Sequence, residues 1–393
     1  MHRICRNILP TASRIGHNSF LGTNTLSHKP ATVFAVKQCI SLSGPTTGYK
    51  KQAKSLHHSD VKVLQSNPFL DQINTSTLHK IPQDTLLKFE LTKLPGVYAS
   101  LSKWYLTLFV VMTADAGYCL APVQFHHFTF FLATIGTGLC SCCANSLNQI
   151  AEVPYDAQMD RTRNRPLVRG VITPLHALGF SVFSGVSGVA CLYYGTNLLT
   201  ALLGLSNIFL YAAVYTPLKR RHWFNTWAGA VVGAIPPLMG WTAATGRIDT
   251  GAFIFAGILY AWQFPHFYAL AWRRRGDYAR GSYHMLPLSH PGATRYVVLS
   301  HSLALWGLCV ASPFTGVTSL LFIPMSAPMN AWLTYSSLKF FRQKNSKSAQ
   351  TLYRTSLYYI LLLSIAICVD RKLLQIDEVK IPPNDCQLAM SNM

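Results

Sequence analysis

The chain has 393 residues, of which 50% are hydrophobic and 12% are charged. Soluble chains carry about 25% charged residues, so this composition excludes an ordinary soluble domain and indicates a protein that crosses a membrane several times. The formal net charge is +20, but the basic residues lie in short clusters between apolar runs, which argues against nucleic-acid binding.

The N-terminal 59 residues are basic and contain no acidic residue, because the first acid of the chain is Asp60. They carry eight Lys or Arg and many Ser and Thr, and they contain no long apolar run. This pattern predicts a mitochondrial transit peptide over residues 1–59, with a disordered basic segment as the alternative. Residues 60–90 mix charged and polar residues and are interpreted as a linker on the matrix side, ahead of a transmembrane domain over 91–370.

Nine apolar runs in this domain approach the length of about 20 residues that spans a bilayer. They cover residues 97–121, 124–150, 173–194, 197–217, 226–245, 251–272, 296–313, 316–338 and 353–369. Basic clusters follow the second, fourth, sixth and eighth runs, whereas the alternate connections are short and carry few charges. By the positive-inside rule this predicts nine helices, with the N-terminus and basic loops in the matrix and an acidic tail, 371–393, on the opposite side.

The most informative segment is Asn148–Gly170, NQIAEVPYDAQMDRTRNRPLVRG. Asn148, Glu152 and Asp156 are spaced four residues apart, so a helix would place them on one face. Amide and carboxylate oxygens suit Mg²⁺, which takes further ligands from water and phosphate. Pro154 is expected to kink or end the helix there. This leaves open whether the three groups converge through a bend or lie along one straight face.

An alternative interpretation is a surface loop whose acids pair with the arginines that follow them. Two further segments on the same predicted side favour a binding site instead. YTPLKRR, from Tyr215 to Arg221, places a phenol and three cations at a helix end, and WQFPHFYA, which contains His266, leads into a basic loop with Asp277. Carboxylates beside arginines suit a divalent metal that carries a phosphate or diphosphate.

Four segments carry a resemblance to a known family: NQIAEVPYDAQMDRTRNRPLVRG, YTPLKR, NTWAGAVVGAIPPLMGW and WQFPHFYALAW. They resemble signature segments of the protoheme IX farnesyltransferases (heme O synthases), within the UbiA prenyltransferase superfamily, over roughly residues 90–340. The resemblance implies an all-α integral membrane bundle of about nine transmembrane helices around a central cavity. It also implies Mg-dependent transfer of a farnesyl group from farnesyl diphosphate to a vinyl group of heme B, giving heme O for cytochrome c oxidase assembly.

The resemblance also assigns roles to single residues. It implies that Asn148, Glu152 and Asp156 hold Mg²⁺ and act in catalysis with Tyr215 and Lys219. The implied substrate-binding residues are Arg161, Arg165, Arg169, Arg220, His266, Asp277 and Tyr278. Asp160 continues the spacing of four residues and is a weaker candidate for the metal site than these three. The stretch around His266 and Asp277 lacks the second acid-rich motif of the wider superfamily, which leaves a second Mg²⁺ site in doubt.

Heme B as a substrate raises the question of a ligand for its iron. His266 is the first candidate and His284, His290 and His301 follow, with a hydrogen-bonded structural role as the alternative for each. The expected location is the mitochondrial inner membrane, and the expected partner is a heme A synthase that takes the product. Three cysteines, Cys140, Cys142 and Cys143, are interpreted as packing positions, with metal binding as the minor alternative.

Two functions from other classes stay open. A polytopic transporter would usually show repeated halves and a site near the midplane, whereas the acidic segment has no repeat and its charges gather at one side. A non-catalytic heme-handling assembly factor would need heme ligands but no site for a metal and a diphosphate. The acidic cluster therefore favours a prenyltransferase over a heme carrier.

Overall fold

The computed structural model describes residues 94–380, and their side chains as far as residue 370. The predicted transit peptide (1–59) and linker (60–90) lie outside the described residues, as does most of the predicted tail. Within the described range the secondary structure is helical and contains no β-strand, which agrees with the all-α prediction.

The helices follow one another with short connections. Their bounds are α1 Leu94–Leu101, α2 Trp104–Leu120, α3 His127–Asp156, α4 Pro174–Gly195, α5 Leu198–Phe209, α6 Thr216–Arg221, α7 Asn225–Thr245, α8 Thr250–Arg273, α9 Arg275–Arg280, α10 Leu286–Ser289, α11 Pro291–Ala311, α12 Phe322–Gln343 and α13 Ser346–Lys380. A π-helical segment, Leu210–Tyr215, joins α5 to α6, and a 3₁₀ turn, Ser312–Thr315, follows α11. The last helix therefore takes in ten residues that the sequence pattern assigned to the tail.

Five of these stretches are long and apolar enough to cross a membrane: α3, α4, the continuous α5–α6 segment Leu198–Arg221, α11 with its 3₁₀ turn, and α13 as far as Asp370. The helices α1 and α2 meet at a bend of 60° and together would make a sixth span. The helices α7, α8 and α12 overlap three further predicted runs, but they do not reach the combined length and hydropathy that a span requires. Nine spans therefore stay a prediction, while five or six of them meet the length and hydropathy that a span requires.

Small residues let α2 and α7 approach closely, and this contact forms one wall of the bundle. A Cβ atom added at Gly240 would lie 1.7 Å from the carbonyl oxygen of Ala114, and one at Gly117 would lie 2.2 Å from that of Pro237. Neither position can accept a side chain unless a helix moves. Small residues that allow such close backbone contact are typical of the interfaces between membrane helices. The last helix, α13, packs on α8 and α12 and also reaches α2, so the first and last long helices meet.

The cysteine cluster packs against glycines of α4. A Cβ atom at Gly188 would lie 2.9 Å from Cys140 Sγ, and one at Gly185 would lie 2.8 Å from Cys143 Sγ. In the described part of the chain no group of three or more His, Cys, Asp and Glu side chains is placed to hold a metal ion. The contacts with Gly185 and Gly188 agree with the packing interpretation of these cysteines.

Candidate active site

The C-terminal end of α3 presents the acidic motif on one buried face. Asn148, Glu152 and Asp156 are 0%, 4% and 1% exposed. Pro154 does not end the helix, which continues to Asp156, so of the two effects expected of this proline an end at Pro154 itself is excluded. The proline stands in the last turn, where it removes one backbone hydrogen bond, and the helix ends two residues later. The spacing of four residues thus places the three side chains along one face of a helix.

Both carboxylates of this face contact Arg165 of the following loop, and Glu152 also contacts Lys219 from a distant part of the chain. Glu152 Oε1 accepts from Lys219 Nζ of α6 at 2.9 Å, and Glu152 Oε2 lies 3.8 Å from an Arg165 nitrogen. Asp156 Oδ2 accepts from the same Arg165 nitrogen, whereas Asp156 Oδ1 is buried and has no hydrogen-bond partner in the described part of the chain. Only Arg165 comes from the loop after α3, so a loop that merely pairs with its own arginines does not account for the cluster.

Lys103 is a site residue that the sequence pattern did not predict. It joins α1 to α2 in the left-handed conformation, with φ 50° and ψ 58°. Its Nζ donates to Asn148 Oδ1 at 2.6 Å and to the Tyr211 hydroxyl at 3.2 Å. The sequence feature that could have identified it is that Lys103 is the single basic residue within the first apolar run. A charge within a membrane segment is energetically costly and usually marks a functional site.

Asn148 acts as a bridge in the structure. Its amide oxygen accepts from Lys103, and its amide nitrogen donates to Thr216 Oγ1 at 2.9 Å. Asn148 is absent from the residues that line the adjacent cavity. Its side chain therefore links Lys103 to the start of α6, and its role as a metal ligand stays a prediction.

The π-helical segment before α6 brings two tyrosines to the same place. Lys219 Nζ lies 4.4 Å above the centre of the Tyr215 ring, within the range of a cation–π contact. The Tyr211 and Tyr215 rings are 5.4 Å apart. The π-helix has a wider turn than an α-helix, and both tyrosines border the cavity described next.

A cavity of about 270 Å³ begins at this cluster and continues between α2, α3, α5 and α7. The charged side chains on its lining are Lys103, Glu152, Asp156, Arg161, Arg165 and Lys219. Among the described lining residues, cations thus exceed carboxylates by two, and an anionic ligand would balance them. The rest of the lining is mainly apolar and includes Leu106, Val110, Cys140, Ile208, Val232 and Met239.

The loop after α8 covers the polar end of the cavity. Tyr278 and Tyr283 line it. Asp277 is 7% exposed; its Oδ1 accepts from Arg280 and from the backbone N–H of Asp160 at 3.1 Å. The Asp160 side chain is 63% exposed and lies 2.6 Å from Arg280. These contacts tie the α8–α9 segment to the loop after α3, and Asp160 itself points away from the buried carboxylates.

Four predicted substrate-binding residues are not on the cavity lining: Asp277, which was described above, and Arg169, Arg220 and His266. Arg169 is exposed, and Arg220 stacks on the ring of Tyr155 at 3.7 Å. His266 faces α13, where its Nδ1 lies 3.0 Å from Ser356 Oγ and its ring stacks on Trp262. The roles of all four as substrate contacts, and that of His266 as an iron ligand, stay predictions.

Glu152 and Asp156 fit a divalent cation in this setting. Both carboxylates line the cavity, and Asp156 Oδ1 has no hydrogen-bond partner among the described residues. Mg²⁺ is usually held by one or two carboxylates and takes its remaining ligands from water and substrate phosphate. At Asp277 one oxygen likewise lacks a partner among the described residues, but Asp277 does not line the cavity, so a second cation site is less complete.

Comparison with known proteins identifies the family. Residues 109–363 match the model of the UbiA prenyltransferase family. The chain is 52% identical over 277 residues to the Homo sapiens protein named protoheme IX farnesyltransferase, mitochondrial, covering 70% of this chain and 62% of that protein. It is 37% identical over 353 residues to the Eremothecium gossypii protein of the same name, covering 88% of this chain and 80% of that one. The match thus spans less than two thirds of the human relative's length.

Solved structures show the same fold. A structure of digeranylgeranylglyceryl phosphate synthase matches with a TM-score of 0.62 at 13% identity, over 72% of this chain and 99% of that one. A UbiA homolog from Archaeoglobus fulgidus bound to DMAPP and Mg²⁺ matches with a TM-score of 0.52 at 12% identity, over 69% of this chain and 99% of that one. At these identities the likeness concerns the fold alone. Since the family model covers well over half of the residues, the chain belongs to the UbiA prenyltransferase family.

Proposed function

We propose that this protein transfers the farnesyl group of farnesyl diphosphate to a vinyl group of protoheme IX, which gives heme O. The observation that carries the proposal is the buried ionic cluster at one end of an apolar cavity. A prenyl diphosphate matches this arrangement, because it has a charged head and a hydrocarbon chain. Relatives that match most of this chain are named protoheme IX farnesyltransferase, and this supports farnesyl and heme as the two substrates.

The cations account for binding of the diphosphate head. Arg165 and Lys219 are 15% and 12% exposed and contact the carboxylates of α3, while Lys103 reaches the cavity from the α1–α2 junction. In a site that excludes most water, fixed cations stabilise charge that develops on a leaving group far better than they would in water. We therefore assign Lys103, Arg165 and Lys219 to the diphosphate, and Arg161 to its outer side.

The carboxylates account for the cation that accompanies the diphosphate. Glu152 and Asp156 would hold Mg²⁺, and this ion would neutralise charge on the departing diphosphate. A distant neighbour of this fold is bound to DMAPP and Mg²⁺, and this supports the assignment. The spacing of Asn148 suggested a Mg²⁺ ligand. We assign it instead to the positioning of Lys103, to which it is joined by a 2.6 Å hydrogen bond.

The reaction needs no nucleophilic protein side chain. The allylic carbon–oxygen bond breaks and its electron pair leaves with the diphosphate, while the vinyl π electrons form the new carbon–carbon bond. The resulting cation, conjugated with the porphyrin, is captured by water, which then loses a proton. Water has to be excluded until the carbon–carbon bond has formed; the apolar lining around Leu106, Val110 and Ile208 and the covering Tyr278–Tyr283 loop provide that exclusion.

The location and partner follow from the same proposal. Relatives that match this chain are named mitochondrial, and several described helices are long enough to cross a membrane. We place the protein in the mitochondrial inner membrane with its N-terminus in the matrix, which would put the ionic cluster on the matrix side. An enzyme that oxidises heme O further, a heme A synthase, would take the product.

The test is an assay of the purified full chain in detergent or nanodiscs with heme B, farnesyl diphosphate and Mg²⁺. Extracted hemes are analysed by mass spectrometry. We expect a product heavier than heme B by one farnesyl group and one hydroxyl group, which is lost with EDTA and restored by added Mg²⁺.

Two other outcomes would contradict the proposal. Heme that binds but is never altered would favour a heme carrier and would leave Glu152 and Asp156 without a function. Prenylation of a different acceptor in membrane extracts, with heme B unaltered, would retain the family chemistry but remove heme as the substrate. Asp156→Asn is the matched control, because it keeps the side-chain size and removes the charge that would hold the metal.

A further inference from the structure

We propose that Met239, with Cys140 and Thr137 beside it, forms the floor of the apolar part of the cavity and limits the prenyl chain to fifteen carbons. This inference rests on the proposed function and specifies the substrate that the same site accepts. The sequence pattern gave no indication of chain length. The structure supplies one because the cavity follows single faces of two long helices.

The cavity can be measured along the helix axes. On α7 the lining residues recur at helical spacing from Asn225 to Met239, which corresponds to about 21 Å at a rise of about 1.5 Å per residue. On α3, which runs the other way, the lining extends from Asp156 to Thr137, and the part from Glu152, which contacts Lys219, to Thr137 is about 22 Å long by the same rise. Measured from Glu152, the two helices thus give similar lengths to the far end of the cavity.

A farnesyl diphosphate matches this length. With carbon–carbon bonds of about 1.5 Å, the twelve-carbon main chain of a farnesyl group extends to about 14 Å, and the diphosphate brings the molecule to about 20 Å. One more isoprene unit would add about 5 Å to the extended chain. A geranylgeranyl chain would therefore press against the floor, whereas a geranyl chain would leave the floor uncovered.

The floor is sealed by a packed cluster rather than by an opening. Met239 is 2% exposed and Leu192 is 0% exposed, and both belong to one buried cluster with Cys140, Ala201 and Ile235. A Cβ atom at Gly204 would lie 2.7 Å from Leu192 Cδ1, 3.3 Å from Met239 Cε and 3.4 Å from Cys140 Sγ. Because this region has no room for even one added carbon, a longer chain could advance only by displacing the Met239 side chain.

Met239 is the residue to change because its side chain is long and flexible. It lines the cavity and its terminal methyl lies against Gly204. Replacing it by alanine removes three heavy atoms that span about 4 Å, which is close to the length of one isoprene unit. The cavity can also be shortened at Ala144, which lines it on α3 between Cys140 and the ionic cluster. A larger residue at this position would reduce the length available to the prenyl chain.

The experiment compares geranyl, farnesyl and geranylgeranyl diphosphate in competition for heme B, with product hemes identified by mass. For the wild type we expect farnesyl to be preferred over geranylgeranyl by about tenfold or more, the discrimination that a fitted apolar pocket can supply. Met239→Ala should raise the geranylgeranyl-to-farnesyl ratio of kcat/KM by about tenfold. Ala144→Leu should shift preference toward geranyl, which keeps a test available if Met239→Ala does not fold.

The control is Met329→Ala, which makes the same substitution at a partly buried methionine packed on the α8–α13 core and should leave the ratios unchanged. A wild type that uses geranylgeranyl as well as farnesyl, or a Met239→Ala variant with an unchanged ratio, would overturn the inference while the proposed function stands. No product from any of the three diphosphates, with heme bound, would overturn the proposed function and the inference with it.

Discussion

Replacing Lys103 by methionine should weaken catalysis strongly while leaving the fold intact. The Lys103 ammonium has three N–H donors, and within the described residues two of them go to Asn148 and Tyr211. The third is free to reach a ligand in the cavity that Lys103 lines. A hydrogen bond between charged groups contributes about 1.5–3 kcal/mol, so its loss corresponds to a fall in kcat/KM of about 10- to 150-fold.

The chain offers a closely matched control for this substitution. Lys344 is also a lysine in the left-handed conformation, with φ 53°, but it is exposed at the end of α12 and does not line the cavity. The assay measures the initial rate of heme prenylation against farnesyl diphosphate concentration for Lys103→Met, Lys103→Arg and Lys344→Met. We expect Lys344→Met to match the wild type and Lys103→Arg to retain part of the activity. If Lys103→Met had the kcat/KM of Lys344→Met, Lys103 would have no part in binding the diphosphate.

Three further substitutions test the metal site, the diphosphate site and the packing. Asp156→Asn should reduce product by at least about 100-fold, as expected when a charge aimed at the transition state is lost, with normal expression and membrane insertion; full turnover would remove Asp156 from the metal site. Lys219→Ala should chiefly raise the apparent KM for the diphosphate, by about tenfold or more, and an unchanged KM would exclude Lys219 from that contact. Gly240→Ala should lower the melting temperature in detergent because its Cβ would lie 1.7 Å from the Ala114 carbonyl oxygen; Gly307→Ala, where nothing lies within 4 Å, should not, and equal melting temperatures would contradict the packing described for α2 and α7.

The sequence predicted the parts of this site that depend on spacing along one helix. Glu152 and Asp156 are four residues apart, and any helix would put them on one face. The alternation of basic loops further indicated that Lys219 lies on the same side of the membrane. These inferences need only local geometry and the high cost of charge in a membrane.

The sequence could not predict which way a side chain faces when several helices surround it. Asn148 has the spacing of a metal ligand, yet its amide contacts Lys103 and Thr216. His266 lies in a segment that resembles the family's signature, but its position on α8 directs its side chain toward Ser356 of α13. Lys103 comes to the cluster only because α1 and α2 meet at a 60° bend, and such tertiary contacts leave no periodic signal in the chain.

The most direct test of the proposed site is a structure of the protein with the unreactive analogue farnesyl thiodiphosphate and Mn²⁺ in place of Mg²⁺, since Mn²⁺ can be located by its anomalous scattering. We expect one Mn²⁺ peak beside the carboxylates of Glu152 and Asp156, the diphosphate between Lys103, Arg165 and Lys219, and the farnesyl chain directed toward Met239. A diphosphate bound elsewhere, or a metal ion with no contact to either carboxylate, would contradict the assignment of this cluster as the active site.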